Sequence, residues 1–153
     1  MADTSLNENR LGLLIWQTSN IWQSKLRKVI KDYNISLNEY LIIETIYKLK
    51  NSMEFISQIN IAKNSHLDVA VVSTNLSILE RKKLIKRTNI DNRSKNIQIT
   101  NDGLSIIKSL INNINKEEIN FFNILGNETF NLIILLKLLL GKKIRIKANK
   151  NNE

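Results

Sequence analysis

The chain has no cysteine, no proline, one histidine and four glycines among its 153 residues. Without cysteine it has no disulfide, thiolate metal site, thiol nucleophile or redox-sensing thiol. Its one histidine, His66, has no second histidine with which to build a metal site. Four glycines leave little material for a glycine-rich phosphate loop, and neither such a loop nor a nucleophile elbow occurs. No acid/base pair stands in a supporting context, so no catalytic residue, metal or cofactor is expected, and the chain does not read as an enzyme. Long apolar runs are missing too. The most apolar stretch, residues 132–140, is interrupted by Lys137 and is about half the length a bilayer-crossing helix needs. Residues 1–10 are polar and acidic, without the basic and apolar regions of a signal peptide. No membrane partner is expected, and the cytoplasm is the expected location.

What the chain does contain is a basic excess and a core's worth of aliphatics. Hydrophobic residues make up 42% of it, which suits a packed domain rather than a disordered tail. The net charge is +9, from 23 Lys and Arg against 14 Asp and Glu. Ile, Asn and Lys account for 65 residues, the bias expected of AT-rich codons, so the position of the charge says more than its total. The first 60 residues carry seven basic and six acidic groups. Residues 81–95 carry seven basic groups against one acid, Asp91. That concentration is what phosphate binding with counterion release requires.

Residues 6–33 place apolar side chains three, four and seven apart, which predicts a long amphipathic helix. Ser36 and Glu39 form a capping-box pattern that opens a second helix through Leu49. Ile56, Ile59 and Ile61-Ala62 then suggest a short helix that ends near Asn64-Ser65. Asp68 then stands as N-cap to a helix over residues 69–83, with Val72, Leu76 and Leu79 as its buried stripe. Two short helices joined by a tight turn are a helix-turn-helix signature. The period then changes to alternation over residues 84–90 and 96–100, around a charged tip, which predicts a hairpin. Helical spacing returns from Leu104 to Leu125, Gly126 interrupts it, and a last helix runs from Asn127 to a stop at Gly141. A helix as apolar all round as residues 132–140 needs a partner to cover it.

This order of elements resembles the MarR family of bacterial winged-helix regulators. The resemblance rests on Asp68-Val69-Ala70-Val71-Val72-Ser73, on Leu79-Glu80-Arg81-Lys82 followed by Leu84-Ile85-Lys86-Arg87, on Asp91-x-Arg93-Ser94-Lys95, and on Ile99-Thr100 with Gly103. These cover residues 67–103 densely, and the helical framework covers about residues 6–140 loosely. Thr74 stands where the family often has Arg. Lys83 stands where it often has glycine, which disfavours a left-handed residue at that turn.

The resemblance implies a mainly α fold with a small β-hairpin wing, a winged helix-turn-helix flanked by N- and C-terminal dimerisation helices. The divisions it suggests are a dimerisation helix over 1–35, a DNA-binding domain over 36–100, dimerisation helices over 101–141 and a basic tail over 142–153. The helix over 69–83 would enter the major groove, with Ala70, Ser73, Thr74 and Ser77 at bases or phosphates and Arg81 at a phosphate. Gln58 would meet the DNA backbone. Arg93, with Lys95 beside it, would enter an AT-rich minor groove, and Asp91 would orient the wing by pairing with a nearby Arg. A two-fold dimer would form through Leu11, Ile15, Ile119, Phe122, Leu132, Leu135, Leu136 and Leu139, so the operator should be an inverted repeat. Trp16 and Trp22 read as dimer or core contacts, or as the lining of an effector pocket, and His66 reads as a turn residue.

The expected function is a homodimeric, sequence-specific transcriptional regulator, a repressor, on the nucleoid. Its partners are double-stranded DNA, a second copy and a small-molecule effector of unnamed chemistry. Two rivals stay open. One is an architectural, nucleoid-associated binder without a defined operator; the other is a winged helix kept for protein interaction.

Overall fold

A computed structural model describes residues 9–144. The elements run α1 (Leu11–Ile30), a 3-10 turn (Lys31–Tyr33), α2 (Leu37–Leu49), α3 (Gln58–Ser65) and α4 (Val69–Arg81), then β1 (Ile85–Asn89) and β2 (Lys95–Ile99). They end with α5 (Asn101–Phe122), a second 3-10 segment (Asn123–Glu128) and α6 (Thr129–Leu139). The fold is mainly helical with one antiparallel hairpin, as the periodicities predict. The chain divides into two compact units, Met1–Glu117 and Glu118–Glu153.

The first unit has one core. Ile42, Ile43 and Ile46 of α2 pack with Ile61 of α3, Val72, Leu76 and Leu79 of α4, Ile85 and Ile97 of the hairpin, and Ile107 and Leu110 of α5. The stripe predicted on α4 is thus the buried one, and it holds the opposite face of α4 outward. The hairpin pairs Ile85 with Ile99 and Asn89 with Lys95. Ile56 joins its edge: the Ile97 amide donates to the Ile56 carbonyl at 2.9 Å, and the Ile56 amide donates to the buried Asn96 Oδ1 at 2.9 Å.

Local chemistry sets the ends of the elements. Ser36 Oγ accepts the Glu39 amide at the start of α2. Ser57 and Asn60 form a full capping box on α3, which the sequence reading did not anticipate. Asp68 Oδ1 accepts the Ala70 amide at 2.8 Å and starts α4. Thr100 Oγ1 accepts the Gly103 amide at 3.1 Å and opens α5.

Three expectations need correction. The first helix does not run unbroken to residue 33: α1 ends at Ile30, a 3-10 turn follows, and Asn34 turns the chain at φ +53. The helix over 69–83 stops at Arg81, and Lys83 is left-handed after all, at φ +58. The reason is a Schellman closure, in which the Leu84 amide donates to the Leu79 carbonyl and the Lys83 amide to the Glu80 carbonyl. Leu79 and Leu84 are both buried beneath it, so packing and hydrogen bonds offset the strain of a side chain where glycine is usual. Lastly, the helix expected from Asn127 to Leu140 spans only Thr129–Leu139.

By length and hydropathy the helical stretch Asn101–Leu139 could cross a bilayer. It is not continuous, because Gly126 departs from helix at φ 52, ψ −126. That leaves α6 with 11 residues, about 16 Å of helix, against a hydrocarbon core of about 30 Å. Gly141 closes α6 at φ +67, as predicted. The far parts of the first predicted helix (residues 6–8) and of the basic tail (residues 145–153) lie outside the described residues.

Candidate nucleic-acid interface

With Val72, Leu76 and Leu79 buried, helical geometry puts residues 70, 73, 74, 77 and 81 on the other side of α4. Ala70, Thr74 and Arg81 are exposed, and Ser73 and Ser77 are half-buried. The polar side chains of this helix are engaged with its own backbone. Thr74 Oγ1 donates to the Ala70 carbonyl at 3.1 Å, Asn75 Nδ2 to Val71 at 2.8 Å, and Ser77 Oγ to Ser73 at 3.3 Å. Gln58, at the first position of α3, donates its side-chain amide to the Val69 carbonyl at 3.4 Å. It therefore ties the start of α3 to the start of α4.

The wing stands beside the beginning of α3. Ser57, Gln58, Ile59, Arg87, Arg93 and Lys95 border one cleft of about 380 Å³. Asp91 does shape the tip, but its partners are not an Arg side chain as expected. Its Oδ1 accepts the backbone amides of Arg93 and Ser94, each at 2.7 Å, because a short side chain two and three residues back reaches a turn's amides most easily. Those two bonds, the Arg93 amide first, hold its carboxyl below the usual range. Arg93 and Lys95 are exposed on the wing.

Two of the seven cations in residues 81–95 serve the fold. The Arg87 guanidinium bonds the Glu80 carboxylate through Nε at 2.9 Å and also through Nη2. That side-chain bond is the main reason the Glu80 carboxyl lies below its ordinary value. Lys82 Nζ donates to the buried Glu39 carboxylate and to the Asn34 carbonyl, both at 2.7 Å. Glu39 thus turns to Lys82, and the end of α4 is fastened to the corner between α1 and α2. The exposed cations left in residues 81–95 are Arg81, Lys83, Lys86, Arg93 and Lys95, of which Arg93 and Lys95 border the cleft at the start of α3 and Lys86 borders another, with Lys50 and Gln98. Sequence reasoning missed the bracing group formed by Glu39, Glu80, Asn96 and Ile56, since each partner lies on a different element.

The other singled-out residues fall as follows. His66 is exposed and left-handed at φ +58 in the turn after α3. Trp22 packs against the core of the first unit, while Trp16 is exposed. Among residues expected at a dimer contact, Leu11, Ile15, Ile119, Leu135, Leu136 and Leu139 are exposed, and Phe122 and Leu132 are half-buried. Within the second unit, Ile119, Phe122, Leu125, Leu132, Ile133 and Leu136 line a groove of about 400 Å³. Among the described residues no group of three or more His, Cys, Asp or Glu could hold a metal ion.

No protein-family model matches the chain. Curated relatives do. The HTH-type transcriptional regulator SarZ of Staphylococcus epidermidis is 31% identical over 112 residues, 70% of this chain and 75% of that protein. The HTH-type regulator YdcH of Bacillus subtilis is 25% identical over 77 residues, and the match spans about half the length of each chain. Among solved structures, a MarR-family regulator from Rhodococcus superposes with a TM-score of 0.78 at 16% identity, over 93% of this chain and 100% of the other. The DNA complex of MepR from Staphylococcus aureus superposes with a TM-score of 0.75 at 25% identity, over 86% of this chain and 96% of the other.

Proposed function

This chain belongs to the MarR family of winged-helix, DNA-binding transcriptional regulators, and we propose that it acts as a homodimeric repressor reading an AT-rich inverted repeat. Its relatives are regulators rather than enzymes. The observation that carries the reading is the outward face of α4, which ends in the exposed Arg81, together with a wing that carries the exposed cations Arg93 and Lys95 beside the start of α3. MepR has been solved bound to DNA, and by analogy α4 enters the major groove here. Ala70, Ser73, Thr74 and Ser77 meet base edges or phosphates, Arg81 meets a phosphate, and Arg93 enters the flanking minor groove with Lys95 beside it. Gln58 supports the entry of α4 and borders the phosphate cleft.

The apolar surface supports dimerisation. α6 buries no residue, and Ile133, Leu135, Leu136, Leu138 and Leu139 are exposed along it. Soluble monomers rarely leave so continuous a patch uncovered. A second copy covers it with the same residues, aided by Leu11 and Ile15 of α1, in an isologous two-fold contact. The protein works in the cytoplasm, on the nucleoid. Its switch is not a thiol, since the chain has none, which leaves a small molecule, a protein or no effector at all.

A competitive gel shift against random DNA tests the reading, with the duplex chosen by selection from a random pool. Preference for one AT-rich inverted repeat supports it; uniform binding of all duplexes supports an architectural role instead. Arg93→Ala should weaken binding and reduce the slope of log Kd against log salt by about 1. An unchanged slope would remove Arg93 from the interface.

A further inference from the structure

On the reading that α4 enters the major groove, we propose that its face reads thymine through the C5-methyl group, with Val69, Ala70 and Thr74 as the specificity-determining side chains. Val69 is the new member of this set: it is the first residue of α4, at the exposed N-terminal edge flanking the Ala70–Thr74 face rather than on it, and is 49% exposed. From Val69 to Leu79 the helix carries no charged residue. The side chains best suited to guanine, Arg and Lys, donate to its O6 and N7 acceptors, and none stands on this face before Arg81.

Apart from the half-buried Ser73, the remaining polar groups each commit a donor within the protein. The hydroxyl hydrogens of Thr74 and Ser77 go to carbonyls one turn back. Asn75 and Gln58, types that pair with adenine in two bonds, give side-chain N–H groups to the Val71 and Val69 carbonyls. A hydroxyl so committed still accepts, and the atom it can accept from in an A·T pair is adenine N6, across the groove from the thymine methyl. With the Thr74 hydroxyl turned to its own helix, the methyl is the branch left for a partner. Val69, Ala70 and Thr74 therefore offer methyl groups where a guanine-reading helix offers cations. Apolar contact with the thymine methyl is the readout this surface is built for.

The test uses the full chain and the best duplex selected from a random pool. A second duplex is made with deoxyuridine for thymidine in both half-sites, which removes only the major-groove methyls. The minor groove is unchanged, so the contribution of Arg93 stays constant. Each methyl contacted should cost about fourfold in Kd, the equivalent of one buried methyl-sized group. Thr74→Ser and Val69→Ser delete methyls from exposed positions and should bind thymidine and deoxyuridine duplexes more nearly alike. Equal affinity of the unmodified protein for both duplexes overturns the inference while leaving DNA binding intact. An undiminished deoxyuridine penalty in both variants overturns the assignment of these residues. If no duplex is bound at low salt, the DNA-binding reading itself falls and this inference falls with it.

Discussion

Every buried apolar side chain among the described residues lies in the first unit, between Leu26 and Ile114. The second unit, described to residue 144, buries none, although α6 is the most apolar helix of the chain. The first unit closes most of its own groups: α2, α3, α4 and α5 are capped by side chains, its hairpin is braced by Ile56, and its charged pairs close on each other. In the second, aliphatic residues face outward on most sides of α6. The contrast teaches that the two regions answer to different partners. One has buried a core of its own, with exposed apolar side chains left along α1, and carries exposed cations on its wing. The other keeps its apolar surface exposed, and that is the surface the proposed dimer would cover.

The sharpest way to break this contrast is to make α6 polar. Leu135→Lys with Leu139→Lys alters two exposed positions four apart, so the first unit should keep its melting transition. Sedimentation should fall from twice 17.7 kDa to a single chain. Operator affinity should drop by at least about 100-fold, since two half-sites would no longer be held together. A double variant that still sediments as a dimer would show that α6 is not the contact.

Next in size is Gly103→Ala, which probes the tight packing of the first unit. A Cβ on Gly103 would lie 2.1 Å from the Leu84 carbonyl oxygen and 2.7 Å from Ile99 Cγ2. The same junction carries the Thr100 amide to the Leu84 carbonyl and Thr100 Oγ1 to the Lys83 carbonyl. Backbone must move, so urea unfolding should show a loss of about 2–3 kcal/mol. No loss would mean that the wing does not lock onto α5 here.

Much of this junction is legible in the amino-acid order, and the limits are physical. The stripe Val72, Leu76, Leu79 identifies the buried face of α4 because helical period and burial agree. Alternation at Ile97 and Ile99 identifies the hairpin for the same reason. Asp68, Thr100 and Gly141 mark ends because each acts within three residues of itself. What stays hidden depends on contacts distant in sequence. Lys82 meets Glu39 across 43 positions, and Asn96 meets Ile56 across 40. Local rules also read Lys83 wrongly, since the Schellman closure and its buried leucines outweigh the cost of a left-handed side chain. For the same reason the basic cluster overstates the cations facing DNA, as Lys82 and Arg87 are held within the fold.

A smaller effect should come from separating that pair. Glu39→Gln leaves the Lys82 ammonium without its carboxylate but keeps an acceptor and the size of the side chain. Lys82 is 30% exposed, so water takes up part of the loss, and a destabilisation of about 1–2 kcal/mol is expected. Operator affinity should fall with it, because the end of α4 is anchored at the Asn34 corner through the same ammonium. A variant that loses stability but keeps full affinity would make the pair a staple of the fold without influence on α4.

The smallest effect is the acid limb contributed by Glu80. Its bond from Arg87 holds the folded carboxyl below its unfolded value. A group depressed in this way stabilises the fold at pH above its unfolded pKa, and the contribution disappears as pH falls through the folded pKa. Glu80 is 40% exposed as a side chain, so screening keeps the effect below about 1 kcal/mol at neutral pH. Glu80→Gln should therefore be slightly less stable than the parent at neutral pH, and the difference should close in acid. The same substitution frees the Arg87 guanidinium at the cleft it shares with Arg93 and Lys95. DNA affinity should then rise slightly while stability falls, the opposite coupling to that expected of Glu39→Gln. If both properties fell together, Arg87 would be supporting the wing rather than being withheld from the phosphates.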